Sequence, residues 1–225
     1  MTKHTSAGRR GQASDGPLRV WFALQSAASY LAHLASSSNP VTAPAPQNIL
    51  LGVTGGIAAY KTPDLVRRLR ERGAVVQVVM TRAAASFVTP LTLQAVSGRP
   101  VRCELLDPDA EAGMDHIELA RWADRVLVAP ASAHLIARLA HGLADDLLTT
   151  LYLCFAGPVL IAPAMNPDMW AKPAVQRNVQ QLSDDGVTMV MPDDGWLSCR
   201  RKGPGRMAEP ARIQLLIEAT LEAMR

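Results

Sequence analysis

Aromatic side chains are scarce in this chain, only three Phe, three Tyr and four Trp in 225 residues. The core must therefore be aliphatic. No basic stripe interleaved with rings is present, so a nucleic-acid partner is not indicated. Cysteine is nearly as rare. Cys103, Cys154 and Cys199 are far apart and odd in number, so neither a disulfide framework nor a metal-ligand spacing fits them. A reducing, cytoplasmic location follows as the default. Long hydrophobic runs are also missing. The best candidate, Leu18 to Ala35, is interrupted by Gln25, Ser26, Ser29 and His33, which makes it a poor signal peptide and a poor membrane span. There is no internal repeat.

Charge gives little direction. Charged residues are 19% of the chain and the net charge is +3. Much of the excess sits in Lys3, Arg9 and Arg10 near the start and in Arg200, Arg201 and Lys202 near the end. Hydrophobic residues make up 48%, enough for one α/β domain with a sizeable core. Residues 1–46 differ from the rest: they are rich in Ser, Ala, Pro, Gly and basic residues. They read as a flexible or loosely attached extension, with an amphipathic helix possible over Leu18 to Ala35 and a linker at Ser36 to Pro46. The folded domain is expected at 47–225.

That domain is organised around Asn48 to Lys61, NILLGVTGGIAAYK. An apolar run leads into Thr54-Gly55-Gly56, and a helical pattern follows through Leu65, Val66 and Leu69. A strand, a glycine turn and a helix N-terminus in that order make an anion site, because first-turn N–H groups have no carbonyl partner. The expected ligand is a phosphate. The glycine spacing is wrong for a dinucleotide fingerprint, and Tyr60 before Lys61-Thr62 is wrong for a Walker A loop. A bare tight turn would look the same.

Further apolar runs read as strands of a covered parallel sheet: Val75 to Met80, Arg125 to Ala129, Val159 to Ala162 and Val187 to Val190. Helical stretches are expected around Leu91 to Val96, Leu135 to Ala140, Leu147 to Phe155 and Val175 to Leu182, and from Pro210 onward. The βαβα alternation gives an α/β fold with a parallel sheet. Thr81 ends the second strand. The turns Thr54-Gly55-Gly56, Pro130-Ala131-Ser132 and Met165-Asn166 should converge on one sheet edge, where ligands of open α/β sheets lie. Their small residues leave room for something flat.

Several long segments carry a resemblance. GVTGGIAAYKTPDLVRRLRERGA, FVTPLTLQAVSG, MDHIELARWAD, APASAHLIARLAHGLADDLLTT, PAMNPDMW and GPGRM are similar to segments of the homo-oligomeric flavin-containing cysteine decarboxylases. The resemblance implies a flavodoxin-like, Rossmann-like three-layer fold that binds FMN, in a homotrimer or a dodecamer built of trimers. It implies that Thr54, Gly55, Gly56, Ile57, Ala58 and Thr81 hold the FMN phosphate, and that Pro130, Ala131, Ser132 and Ala133 line the isoalloxazine. His134 departs from the Asn or Asp usual after that turn.

The implied chemistry is oxidative decarboxylation of a cysteine carboxylate to an aminoenethiol. A simple carboxylate cannot lose CO₂, because the carbanion left behind has no electron sink. Flavin can take a hydride from the cysteine β-carbon, and the resulting thiocarbonyl stabilises the carbanion. His116, in the HIEL segment, would position the thiol and handle its proton. From sequence alone it reads first as a satisfied buried histidine next to Asp115, and the motif match reverses that reading. Asn166, supported by Met165, would donate its amide to the substrate carboxylate, and it also suits a helix cap before Pro167. Cys199 would serve the return of electrons that turns the enethiol into a saturated thiol. The family's clamp reads Ala-Cys-Gly-Asp/Glu, whereas here it reads Ser198-Cys199-Arg200-Arg201. Glycine there would serve a φ that arginine adopts at a cost. Arg200 and Arg206 are further candidates for substrate contact.

Two substrates fit these residues. Overall similarity and Cys199 favour phosphopantothenoylcysteine of coenzyme A synthesis. The altered clamp, the N-terminal segment and the end of the chain at Arg225 favour the C-terminal cysteine of a ribosomally made peptide, and the balance falls on the peptide. A non-catalytic FMN-binding assembly subunit is the reading from another class, opposed by His116 and Asn166.

Overall fold

The computed structural model describes residues 47–105 and 115–222, all within the unit Ala45–Arg225. The expectations for residues 1–46 lie outside the described residues. Strand β1 (Asn48–Val53) pairs in parallel with β2 (Val75–Met80) on one side and β3 (Arg125–Ala131) on the other. Next to β3 come β4 (Val159–Pro163) and the two-residue β5 (Thr188–Met189), giving a five-stranded sheet ordered β2-β1-β3-β4-β5. Strand order reverses at β1 and β3, so their carboxyl ends flank the switch point where ligands of open parallel sheets bind.

Side chains alternate across each strand, and both faces are covered. Ile49, Leu51 and Val53 face one core with Leu65, Val66 and Leu69 of α1 (Thr62–Glu71), Leu93 of α2 (Pro90–Ser97) and Ile213 and Ile217 of α8 (Pro210–Glu222). Leu50, Val126 and Val128 face the other. There they meet Leu119 of α3 (Asp115–Trp122), Leu135, Ile136 and Leu139 of α4 (Ala133–Ala140), and Leu147, Leu148 and Leu151 of α5 (Leu147–Cys154). Val179 and Leu182 of α7 (Pro173–Asp184) complete that layer. This is the expected three-layer flavodoxin-like fold. Gly52 explains its place in β1: a Cβ there would stand 2.5 Å from Leu148 Cδ1, so the strand gives up a side chain to let α5 approach.

The structure differs from the sequence reading at several places, helix α3 among them, which was not expected. The segment after the glycine turn begins as a 3-10 helix, Ile57–Lys61, and becomes α-helical only at Thr62, with Pro63 in the first turn. The last strand of the sheet is two residues long, not four. A hairpin of β6 (Asp193–Trp196) and β7 (Lys202–Arg206), and a one-turn helix α6 (Pro167–Trp170), went unpredicted.

Candidate active site

Three strand exits meet at the carboxyl edge of the sheet. Thr54, 2% exposed, locks two of them together. Its hydroxyl donates to Pro130 O at 2.8 Å and accepts from Ser132 N–H at 3.0 Å. The Ala129–Pro130 peptide is cis, and the pairing of β3 with β4 shifts between Val128 and Ala131. Ala164 N–H then donates to Ala131 O at 2.9 Å, which ties in the third exit. Ser132 caps α4 by accepting from Leu135 N–H.

Gly55 and Gly56 form the floor between these exits. A Cβ on Gly55 would lie 2.6 Å from the Cβ of Ala83, so this position tolerates no side chain. Gly56 opens the 3-10 segment, and nothing stands within 4 Å of where its Cβ would be. The N–H groups that begin such a segment have no carbonyl behind them, and here they border a cavity.

Asn166 is the N-cap of α6. Its Oδ1 accepts from Asp168 N–H at 2.8 Å. An amide has one acceptor and one donor end, so spending the oxygen on the cap leaves the Nδ2 donor for the cavity that Asn166 lines. The β6–β7 hairpin folds over this loop. Met165 N–H donates to Gly205 O at 2.9 Å, and a Cβ on Gly205 would stand 2.4 Å from Met165 O. Glycine is required at 205 both for that contact and for its φ of 123°. The hairpin loop closes through Arg200 N–H to Leu197 O and Leu197 N–H to Arg201 O, each at 2.9 Å. Cys199 stands exposed in this loop. Arg200 has a φ of 59°, the one positive value at a non-glycine among the described residues. Arg201 pairs with Asp168, fastening the loop to α6.

The resulting cavity holds about 380 Å³. It gathers Gly55, Gly56, Ile57, Ala58, Ser132, Ala133, Met165, Asn166, Cys199 and Arg206 from the sequence-based candidates. Thr54, Pro130 and Ala131 are buried behind its wall. Thr81 spends its hydroxyl on Val53 O and does not line the cavity, nor does Arg200 or the exposed His134. His116, at the start of α3, is also absent from the lining, and its Nδ1 is buried with no hydrogen-bond partner among the described residues. The sequence reading missed Tyr60, Lys61, Met169 and Trp196 as lining residues. Tyr60 and Trp196 are 63% and 71% exposed, and large rings left bare beside a cavity mark contact surface.

Lys61 is buried, and its ammonium donates to Met207 O and to Glu209 Oε1, each at 3.0 Å. Arg206 pairs with the same carboxylate. The hydrogen bond from Lys61, reinforced by Arg206, holds the Glu209 carboxyl below the usual carboxylate range. The glycine loop and the end of the hairpin are therefore joined through one acid. A second charged knot lies behind α4. Buried Arg138 donates to Asp146 at 2.7 Å and to Thr149 Oγ1 at 3.2 Å and pairs with Asp145. Asp146 caps α5 in a capping box with Thr149. Burial works against the charge on Asp146, but the Thr149 N–H and the guanidinium outweigh it and hold its pKa below the ordinary value.

Residues 37–222 match the family model described as Flavoprotein. The coenzyme A biosynthesis bifunctional protein CoaBC of Vibrio vulnificus is 58% identical over 172 residues, 76% of this chain and 43% of that protein. This chain thus spans less than half the length of that curated relative. Among solved structures, a PPC decarboxylase variant complexed with pantothenoylaminoethenethiol is 32% identical, with a TM-score of 0.72, covering 79% of this chain and 100% of its own. The FMN-dependent cysteine decarboxylase SpaF is 36% identical, with a TM-score of 0.68, covering 79% and 98%. The chain belongs to the flavoprotein family, the one it shares with PPC decarboxylase and the cysteine decarboxylase SpaF.

Proposed function

We propose that the protein is an FMN-dependent decarboxylase of phosphopantothenoylcysteine. The peptide substrate favoured by the sequence reading has less support. The observation that carries the reading is Cys199 in the cavity wall on a hairpin that closes over Asn166, in a chain 58% identical to a coenzyme A biosynthesis protein. The end of the chain, which had counted toward a peptide, carries no weight against that identity.

The residues fit FMN. Gly55, Gly56, Ile57 and Ala58 would hold its phosphate in the room left by two absent side chains, and Ser132 and Ala133 would lie along its ring, with Pro130 and Ala131 shaping the turn from behind. Bound FMN supplies a two-electron acceptor for the cysteine β-carbon and a donor for the way back. The protein's own groups do the rest. Asn166 Nδ2 donates to the substrate carboxylate and fixes the C–CO₂ bond. Met165 packs beside it. Cys199, brought in by the hairpin, supplies the Sγ proton when the product thiol is made. Tyr60, Trp196 and the hairpin exclude water.

His116 takes the substrate thiol proton at its imidazole in this reading. Because it lies outside the cavity of its own chain, it acts in the cavity of a neighbouring copy within a homo-oligomer, a trimer or an assembly of trimers. The test is CO₂ release by the FMN-loaded protein from carboxyl-labelled phosphopantothenoylcysteine and from a peptide ending in cysteine. Faster release from the former supports the reading, and release from the peptide alone overturns it.

A further inference from the structure

The hairpin over the cavity carries four cations in a short span, Arg200, Arg201, Lys202 and Arg206. Two are already neutralised, Arg201 by Asp168 and Arg206 by Glu209. Arg200 and Lys202 are exposed, and neither has an ion pair among the described residues. Of the hairpin's acids, Asp193 is taken by Arg212, and Asp194 lies at the far end, opposite Pro204. The loop end of the hairpin therefore holds uncompensated positive charge.

Its direction follows from strand register. Lys202 is the cross-strand partner of Trp196, and directly opposed residues of an antiparallel pair project from the same face. Trp196 lines the cavity while remaining 71% exposed, so Lys202 stands beside it at the mouth. Arg200 follows Cys199, which lines the wall. A substrate with its cysteine carboxylate at Asn166 and its sulfur near Cys199 has to send its other end out along this rim. The glycine loop would not take that end, because in this reading it would hold the cofactor phosphate.

We propose that Lys202 and Arg200 form the site that recognises the distal phosphate monoester of the substrate, making them specificity determinants. This rests on the decarboxylase reading above and extends it. A phosphate near pH 7 carries close to two negative charges, and two mobile cations at an open rim attract it in a salt-dependent way.

The test compares phosphopantothenoylcysteine with its dephosphorylated form on the FMN-loaded protein. The expected preference in kcat/KM for the phosphorylated form is about tenfold at low salt, carried by KM, and it shrinks as ionic strength rises. In the double variant Lys202→Gln, Arg200→Gly the ratio falls toward one, whereas Lys202→Arg keeps it. An unchanged ratio in the double variant overturns the assignment. Equilibrium dialysis of phosphopantothenate against pantothenate, neither of which can be decarboxylated, separates this claim from the catalytic one. Lys202-dependent preference for phosphopantothenate without turnover of either cysteine compound would sink the proposed reaction and leave the phosphate site standing. Salt-sensitive, Lys202-dependent binding of an acidic peptide ending in cysteine, with no phosphate preference, would overturn the site as assigned.

Discussion

Single residues decide how this site departs from its relatives. Arg200 occupies a left-handed backbone position, φ 59°, at the place where the resemblance would put glycine. An L-residue there costs roughly 1–2 kcal/mol, although glycine loses about 0.5–1 kcal/mol more backbone entropy on folding. Arg200→Gly should therefore raise unfolding stability by between zero and about 1.5 kcal/mol in urea titration. A clear loss of stability would mean that the arginine side chain contributes more than its backbone costs. Asn166 makes the sharper prediction. Asp at 166 can still cap α6 through a carboxylate oxygen, so the fold should survive. The amide donor is lost, and a like charge faces the substrate carboxylate. Decarboxylation of phosphopantothenoylcysteine by Asn166→Asp should fall by about a hundredfold in kcat/KM with FMN content unchanged. Near-normal kcat/KM would remove Asn166 from the carboxylate site.

At the scale of elements, the β6–β7 hairpin is what covers the glycine-floored cavity. Backbone contacts at Gly205 fix its base, and the Arg201–Asp168 pair fastens its tip to α6. Position 201, where the resemblance would put an acid, is an arginine here, and Asp168 supplies the opposite charge. Both side chains are more than half exposed, so the pair is worth only about 0.2–1 kcal/mol, weak enough for the hairpin to serve as a lid under the proposed reaction. Asp168→Asn should raise KM by about two- to fivefold with little change in kcat. It should also speed alkylation of Cys199, followed by peptide mapping so that exposed Cys154 is not confused with it. Burial pushes the Cys103 thiol pKa up, which keeps that residue slow. The reversed pair Asp168→Arg with Arg201→Asp should restore the parent KM. Failure of the reversal to rescue, after both single variants have raised KM, would show that the two residues act separately.

For the whole molecule, the central question is whether one chain contains a complete site. If His116 serves a neighbouring cavity, then His116→Asn and Asn166→Asp oligomers, each strongly impaired, should regain activity when dissociated together and reassembled. Mixed oligomers with no activity would put His116 back in its own chain or out of the chemistry. Acid stability tests the charged frame that holds the strand exits. Glu209 and Asp146 have pKa values lowered in the folded state. Their contribution is present in full above the ordinary carboxylate range and is lost as pH falls through the lowered folded values. The urea midpoint should therefore drop on acidification below about pH 4, and less steeply in Glu209→Gln.

Much of this was legible in the sequence, for identifiable reasons. Strands β1 to β4 are buried on both faces, so their apolar runs stand out, and the glycine turn and the Met165-Asn166 exit are punctuated by small residues. The hairpin was not legible: DDGW and KGPGR are short, polar and rich in glycine, with no alternation, and the hairpin's place is set by contacts with Met165 and Asp168 far away in sequence. Lys61 was missed as a wall residue because a lysine in a helical pattern reads as solvated, and only the fold brings Met207 O and Glu209 to it. The lean to a peptide substrate has less support than its alternative, because it weighed the altered clamp and the chain end above the extent of similarity.

The most direct test of the central claim is the product mass from phosphopantothenoylcysteine with the FMN-loaded protein and its Cys199→Ser variant. The account predicts a loss of about 44 Da (CO₂ alone) for the parent and about 46 Da (CO₂ with two hydrogens) for the variant, since only Cys199 lets the electrons return. A loss of about 46 Da from a cysteine-ended peptide, with phosphopantothenoylcysteine untouched by either protein, would contradict it.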